Sequence, residues 1–145
     1  MVTRTFSKAY GLAGLRVGYS VSSPEIAAAL GKVREPFNVN LLAQEAAVAA
    51  LDDKAHLNKT VRTVNEGRNY LTRELTRLGA RCVDTVTNFI LADLKKEAQP
   101  VYQKLLKQGV IVRPMNAWGL QTFIRVTIGT MADNRRFIKA LQHAL

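Results

Sequence analysis

The sequence predicts an α/β chain in two parts: strands and helices in alternation over residues 1–51, then a small α+β segment over 52–145 in which a sheet carries helices on one face. Three observations predict this. β-branched runs at the front give way to alanine-rich stretches, a change of period from two to about 3.6. A single long apolar stripe follows. Behind it lie four short β-branched or apolar runs broken by helical stretches, enough for a small layered sheet.

Val2 to Phe6 reads as the end of a strand, and Arg16 to Ser22 as a second one, with Gly11 and Gly14 in the loop between. Ser23-Pro24-Glu25 starts a helix: a hydroxyl at the cap, proline in the first turn, an acid at the positive end. That helix should stop near Gly31. Pro36 to Asn40 is extended, and Asn40 can cap an alanine-rich helix over Leu41 to Leu51. Asp52-Asp53 then open a longer helix, with Leu57, Val61, Val64, Leu71, Leu75 and Leu78 on one face and Gly79 as its stop. Ala80 to Val86 and Phe89 to Leu94 read as strands. Pro100 starts a helix that Gly109 ends, Val110 to Arg113 is a short strand, Pro114 to Gly119 a loop, and Thr122 to Ile128 a strand. Thr130 with Asp133 is a variant capping box for a last helix.

Composition narrows the function. Hydrophobic residues make up 48% of the 145, so a packed core is expected. No apolar run reaches the roughly 18 residues of a membrane span, and Arg4 and Lys8 precede glycines rather than the apolar stretch of a secretory signal. A single cysteine, Cys82, allows no internal disulfide, which points to a reducing, cytoplasmic setting. The formal charge is +10, yet the basic residues are scattered and no aromatics interleave them. A nucleic-acid partner is therefore not expected. His56 and His143 fall on helices without metal-ligand spacing, so no metal is expected.

Chemistry concentrates in Ser7-Lys8-Ala9-Tyr10-Gly11-Leu12-Ala13-Gly14-Leu15-Arg16. A lysine alone is usually a solvated surface residue, and paired glycines are usually turns. Their order here is less ordinary. The lysine follows a strand end, where ligands bind in α/β sheets. A hydroxyl stands beside it, glycines allow close approach of the backbone, and an arginine eight residues on offers a forked donor for phosphate. A lysine nucleophile beside a phosphate cradle suits a phosphorylated aldehyde.

This block resembles the lysine motif of the fold-type I pyridoxal-phosphate aminotransferases of class I/II, and most nearly the histidinol-phosphate aminotransferase family. The likeness continues through Pro36-Phe37-Asn38-Val39-Asn40, Thr87-Asn88-Phe89, Gly109 to Pro114 and Ile124 to Thr130, and so covers the whole chain. It implies that residues 1–51 are the end of the large pyridoxal-phosphate domain and 52–145 the small C-terminal domain. It implies pyridoxal 5'-phosphate as cofactor, with Lys8 as the Schiff-base and proton-carrying lysine and with Ser7, Arg16 and Thr5 at the phosphate. It implies that Arg125 takes the substrate α-carboxylate and Arg113 the phosphate or other distal group. Tyr10 and Tyr19 should pack near the site, and Trp118 beside Arg113.

The implied reaction is transamination of histidinol phosphate with 2-oxoglutarate in histidine biosynthesis, by a homodimeric parent. An aromatic-amino-acid aminotransferase, a threonine-phosphate decarboxylase of the same fold, and a non-catalytic fragment dimerising through its long helix are the alternatives. The family holds an aspartate for the ring nitrogen upstream of the lysine. The seven residues before Lys8 contain no acid. The chain is therefore expected to be the C-terminal part of such an enzyme, inactive alone.

Overall fold

The structure, a computed structural model, describes all of residues 1–145. The chain divides into two compact units, Met1–Val61 and Arg62–Leu145.

In the first unit, β1 (Val2–Thr5) and β2 (Gly18–Val21) form an antiparallel pair with Val2 opposite Val21 and Thr5 opposite Gly18. Gly18 is required there: a Cβ would stand 2.7 Å from the Arg4 carbonyl oxygen. β1 stops one residue short of the expected end because Phe6 turns inward. It is 3% exposed and meets Val17 and, from α2 (Leu41–Asp52), Ala43 and Ala47. Alanines on that face let the loop lie close to the helix. Asn40 caps α2, its side chain accepting the Ala43 N–H at 2.9 Å.

The preceding helix, α1 (Pro24–Val33), buries none of its residues and runs past Gly31, where its end was expected. Gly31 keeps helical backbone, and the stop is set instead by Pro36. A proline disfavours helical backbone in the residue before it, and the chain is already extended at Arg34. Asp53 starts α3 (Lys54–Arg77) by accepting the His56 N–H at 2.9 Å.

The second unit is an antiparallel sheet of order β3-β4-β6-β5, built from β3 (Arg81–Cys82), β4 (Phe89–Asp93), β5 (Arg113–Met115) and β6 (Leu120–Thr127). Alternation along the strands separates two faces. Ile90, Ala92, Ile124 and Val126 point into the core. There they meet Leu71 and Leu75 of α3, Val101 and Leu105 of α4 (Ala98–Lys107), and Phe137 and Leu141 of α5 (Met131–Ala144). Phe89, Leu91, Phe123 and Arg125 lie on the other face, half-buried. Helices thus cover one face only, as expected. The α3 stripe is shorter than its sequence pattern: Leu71 and Leu75 are fully buried, Val64 and Leu78 lie at the margin, and Val61 is exposed.

Three boundaries differ from expectation for identifiable reasons. The strand expected over Ala80 to Val86 is only Arg81–Cys82. Asp84, Thr85 and Thr87 bond their own backbone, Thr85 Oγ1 accepting from Thr87 N and Thr87 Oγ1 donating to Phe89 O, which competes with the ladder. α4 begins at Ala98, so Pro100 sits inside the first turn, where its missing N–H has no partner to lose. The strand expected over Val110 to Arg113 is instead Arg113–Met115, because the Val110 N–H goes back to the Leu105 carbonyl at 3.0 Å to close α4. Pro114 is tolerated in β5 because that strand is an edge.

Candidate active site

Lys8 lies on the loop joining β1 to β2. The loop is closed at its base by the Phe6 N–H donating to the Val17 carbonyl at 3.2 Å, and Leu12 N donates to Phe6 O at 3.0 Å. A turn follows at once, with Gly11 N donating to Lys8 O at 2.9 Å and Gly11 in the left-handed region at φ 74°. Phe6 anchors the loop from below, with its ring 5.0 Å from Tyr10 and 5.7 Å from Tyr19. Both tyrosines pack as expected. The loop is thus fixed by its backbone and by Phe6, and Lys8 itself projects exposed.

Arg16 returns to the same loop base, next to Val17. It is left-handed at φ 54°, an uncommon state for a residue with a side chain. Its Nη1 donates to the Ala13 carbonyl at 2.7 Å, which folds the side chain back across the short 3-10 turn Ala13–Leu15 and leaves other guanidinium N–H groups free. Thr5 Oγ1 accepts the Ser7 N–H at 3.0 Å, so its own hydroxyl hydrogen remains available. Thr5 thus ends β1, and Ser7, Lys8 and Arg16 lie on the loop that follows it. No acid occurs before Glu25.

In the second unit Arg113 and Arg125 are direct partners across β5 and β6. Directly opposed residues of an antiparallel pair point to one face, with Cβ atoms about 4.5–5.5 Å apart. Like charges so placed are unfavourable, and neither arginine has an acidic partner: the ion pairs are Arg73–Glu74, Arg77–Glu74 and Arg81–Asp93. Each is supported by an aromatic ring instead. The Arg125 guanidinium lies 5.2 Å from the Phe89 centroid and that of Arg113 lies 5.8 Å from the Trp118 centroid. Two arginines without acidic partners thus stand at directly opposed positions on one sheet face.

Other candidates fall away on geometry. Burial pushes the Cys82 thiol up, against a lesser opposing hydrogen bond from Thr76, so thiolate is scarce near neutral pH. His56 and His143 are exposed on helices.

Two residues escaped the sequence reading. Phe89 is the diagonal cross-strand neighbour of Arg125, a relation visible only once the β4–β6 register is known. Arg68 donates to the Val86 and Thr87 carbonyls at 3.2 and 2.9 Å and to Asn65 Oδ1 at 2.9 Å, tying the turn before Phe89 to α3. The two carbonyls lie 18 and 19 residues away along the chain, beyond any local pattern.

The chain is similar to known proteins along its whole length. The chain is 53% identical over its full length to a histidinol-phosphate aminotransferase of Moorella thermoacetica and 49% identical to one of Nitrosococcus oceani, covering 38% and 39% of those proteins. It thus spans about two-fifths of the length of the curated relatives it matches. Among solved structures, histidinol-phosphate aminotransferase from Sinorhizobium meliloti in complex with pyridoxal-5'-phosphate superposes with a TM-score of 0.88 at 32% identity, over 98% of this chain and 40% of that one. L-threonine-O-3-phosphate decarboxylase from Porphyromonas gingivalis gives 0.84 at 32% identity, over 97% and 45%. The family model for aminotransferase class I and II matches residues 1–141, and with it the chain belongs to the class I and II aminotransferases of fold type I.

Proposed function

We propose that this chain is the lysine-bearing and substrate-arginine part of a pyridoxal-phosphate-dependent histidinol-phosphate aminotransferase. The observation that carries the reading is the loop between β1 and β2. It gathers an ammonium, two hydroxyls and a guanidinium on a closed base without a carboxylate. That donor set fits a phosphorylated aldehyde: hydroxyl and guanidinium for the phosphate, a primary amine for the carbonyl. Ser7, Arg16 and Thr5 would hold the phosphate and Lys8 would join the aldehyde.

Bound there, pyridoxal phosphate supplies the electron sink that makes the substrate Cα–H acidic. The remaining work belongs to side chains. Lys8 Nζ would serve as the base that takes and returns the substrate Cα proton, a contribution of about 10²–10⁴ in rate. Arg125 anchors the α-carboxylate of the amino acid or of the 2-oxoglutarate acceptor, and Arg113 takes the substrate phosphate. In histidinol phosphate a CH2–O–phosphate group stands where an amino acid has its α-carboxylate. Paired arginines at one sheet level suit both groups in turn. Each charge-assisted contact contributes roughly 1.5–3 kcal/mol.

Borohydride reduction of the pyridoxal-phosphate-treated parent enzyme, followed by peptide mass analysis, is expected to leave the cofactor mass on Lys8; label on any other lysine would end the reading. The same-fold decarboxylase is the second reading, supported by its equal 32% identity. Incubation with threonine phosphate decides: carbon dioxide release without keto-acid consumption would favour it.

A further inference from the structure

We propose that Trp118 is a positioning residue for the anion site: its indole face holds the Arg113 guanidinium beside Arg125, leaving the donor edge of Arg113 free for phosphate. The inference rests on the reading of Arg113 and Arg125 as one anion site and goes beyond it to a residue outside that pair.

Four observations carry it. Arg113 is exposed on an edge strand and has no acidic partner, so nothing else described fixes its long side chain. Its guanidinium carbon lies 5.8 Å from the Trp118 ring centroid, inside the range of a cation–π contact. The turn that carries Trp118 is pinned: the Gly119 N–H donates to the Asn116 carbonyl at 2.9 Å, the Asn116 amide donates to Gln121 Oε1, and Gly119 is left-handed at φ 76°. That turn folds the indole back over β5. Finally, Trp118 is 59% exposed, an unusual state for the chain's only tryptophan unless its ring serves a contact.

The geometry has a chemical consequence. A guanidinium binds an aromatic ring by its flat face and an anion by its N–H edge. The two contacts therefore do not compete. Stacking removes rotamer freedom from Arg113 before the anion arrives, so less is lost on binding. Repulsion from Arg125 would otherwise swing an exposed Arg113 outward, away from the paired register.

Inorganic phosphate titrated into the full chain tests this, with the Arg113 and Arg125 Nε–H and Trp118 indole N–H resonances followed by NMR. In the native chain all three are expected to shift with one midpoint. Trp118→Ala should weaken the Arg113 midpoint about fivefold, a loss of ~1 kcal/mol, and Trp118→Phe should restore it to within about twofold, since the ring and not the indole nitrogen does the holding. An unchanged Arg113 midpoint in Trp118→Ala, or a Trp118→Phe variant as weak as the alanine one, overturns the role of Trp118 and leaves the anion-site reading standing; an Arg113 resonance that never moves in the native chain overturns the reading of Arg113 and Arg125 as one site. Absence of any Arg125 shift in the native chain overturns the anion-site reading itself.

Discussion

At the scale of single residues, the candidate site rests on two groups of side chains: Ser7, Lys8 and Arg16 on one loop, and Arg113 opposite Arg125 across β5 and β6. Ser7, Lys8 and Arg16 are named by one short block, and the structure closes that block into one loop. Arg125 could be set apart because Ile124 and Val126 alternate with it into the core. Its support by Phe89 could not, because that contact belongs to the pairing of two strands distant in sequence. In a reconstituted parent enzyme, Arg125→Ala should lower kcat/KM for both the phosphate substrate and the keto acid by roughly 10–150-fold, the equivalent of about 1.5–3 kcal/mol. Arg113→Ala should fall more heavily on histidinol phosphate than on phenylalanine. Equal losses in the steady-state comparison would remove the phosphate role of Arg113.

Asp133 offers a residue-scale prediction in acid. Its carboxylate accepts the Thr130 hydroxyl and backbone N–H at 2.6 and 3.1 Å, and these bonds, the hydroxyl first, hold its pKa below the usual aspartate value. A folded pKa that is depressed means the stabilising contribution is complete above the unfolded aspartate pKa, near 3.9. It fades as pH falls through the lower folded value. Asp133→Asn should therefore lower Tm more at about pH 7 than in acid below the unfolded aspartate pKa of about 3.9. Equal Tm deficits at both pH values in thermal scans would contradict the assignment.

At the scale of elements, the capping signals read from sequence are present at the starts of α2 and α5, whereas the Ser23 side chain makes no capping bond to α1. Strand limits were less accessible. β3 and β5 are decided by which backbone groups a neighbouring turn or helix end has already taken, and neither the Arg68 clamp nor the Val110–Leu105 bond has a sequence signature. Gly67 illustrates the same limit. In an isolated helix Ala would be better than Gly by about 1 kcal/mol. In α3 a Cβ at this position would lie 2.6 Å from Ile128 Cγ2 and 2.7 Å from Asn134 Nδ2. Buried Asn134 in turn bonds both the N–H and the carbonyl of Gly129, at 3.0 and 3.1 Å. Gly67→Ala is therefore expected to destabilise by roughly 1–3 kcal/mol. Urea unfolding that showed a gain would mean α3 can move off the end of β6 freely.

At the scale of the whole molecule, fold class was the most legible feature, since a change of period from two to 3.6 survives errors of a few residues at each boundary. Expressed as 145 residues, the chain is expected to hold pyridoxal phosphate weakly and to show no transamination above background, because it spans about two-fifths of its relatives and its first acid is Glu25. Sustained turnover by the purified polypeptide in a coupled keto-acid assay would refute this.

The two-stranded sheet of the first unit has a practical consequence. β1 and β2 pair only with each other, so each keeps an outer edge with unsatisfied backbone groups. Around them Val21, Val33, Phe37, Leu42 and Val48 are exposed apolar side chains. Open strand edges recruit other strands. The polypeptide should therefore be prone to self-association in the test tube, and sedimentation that finds only monomer at high concentration would contradict this.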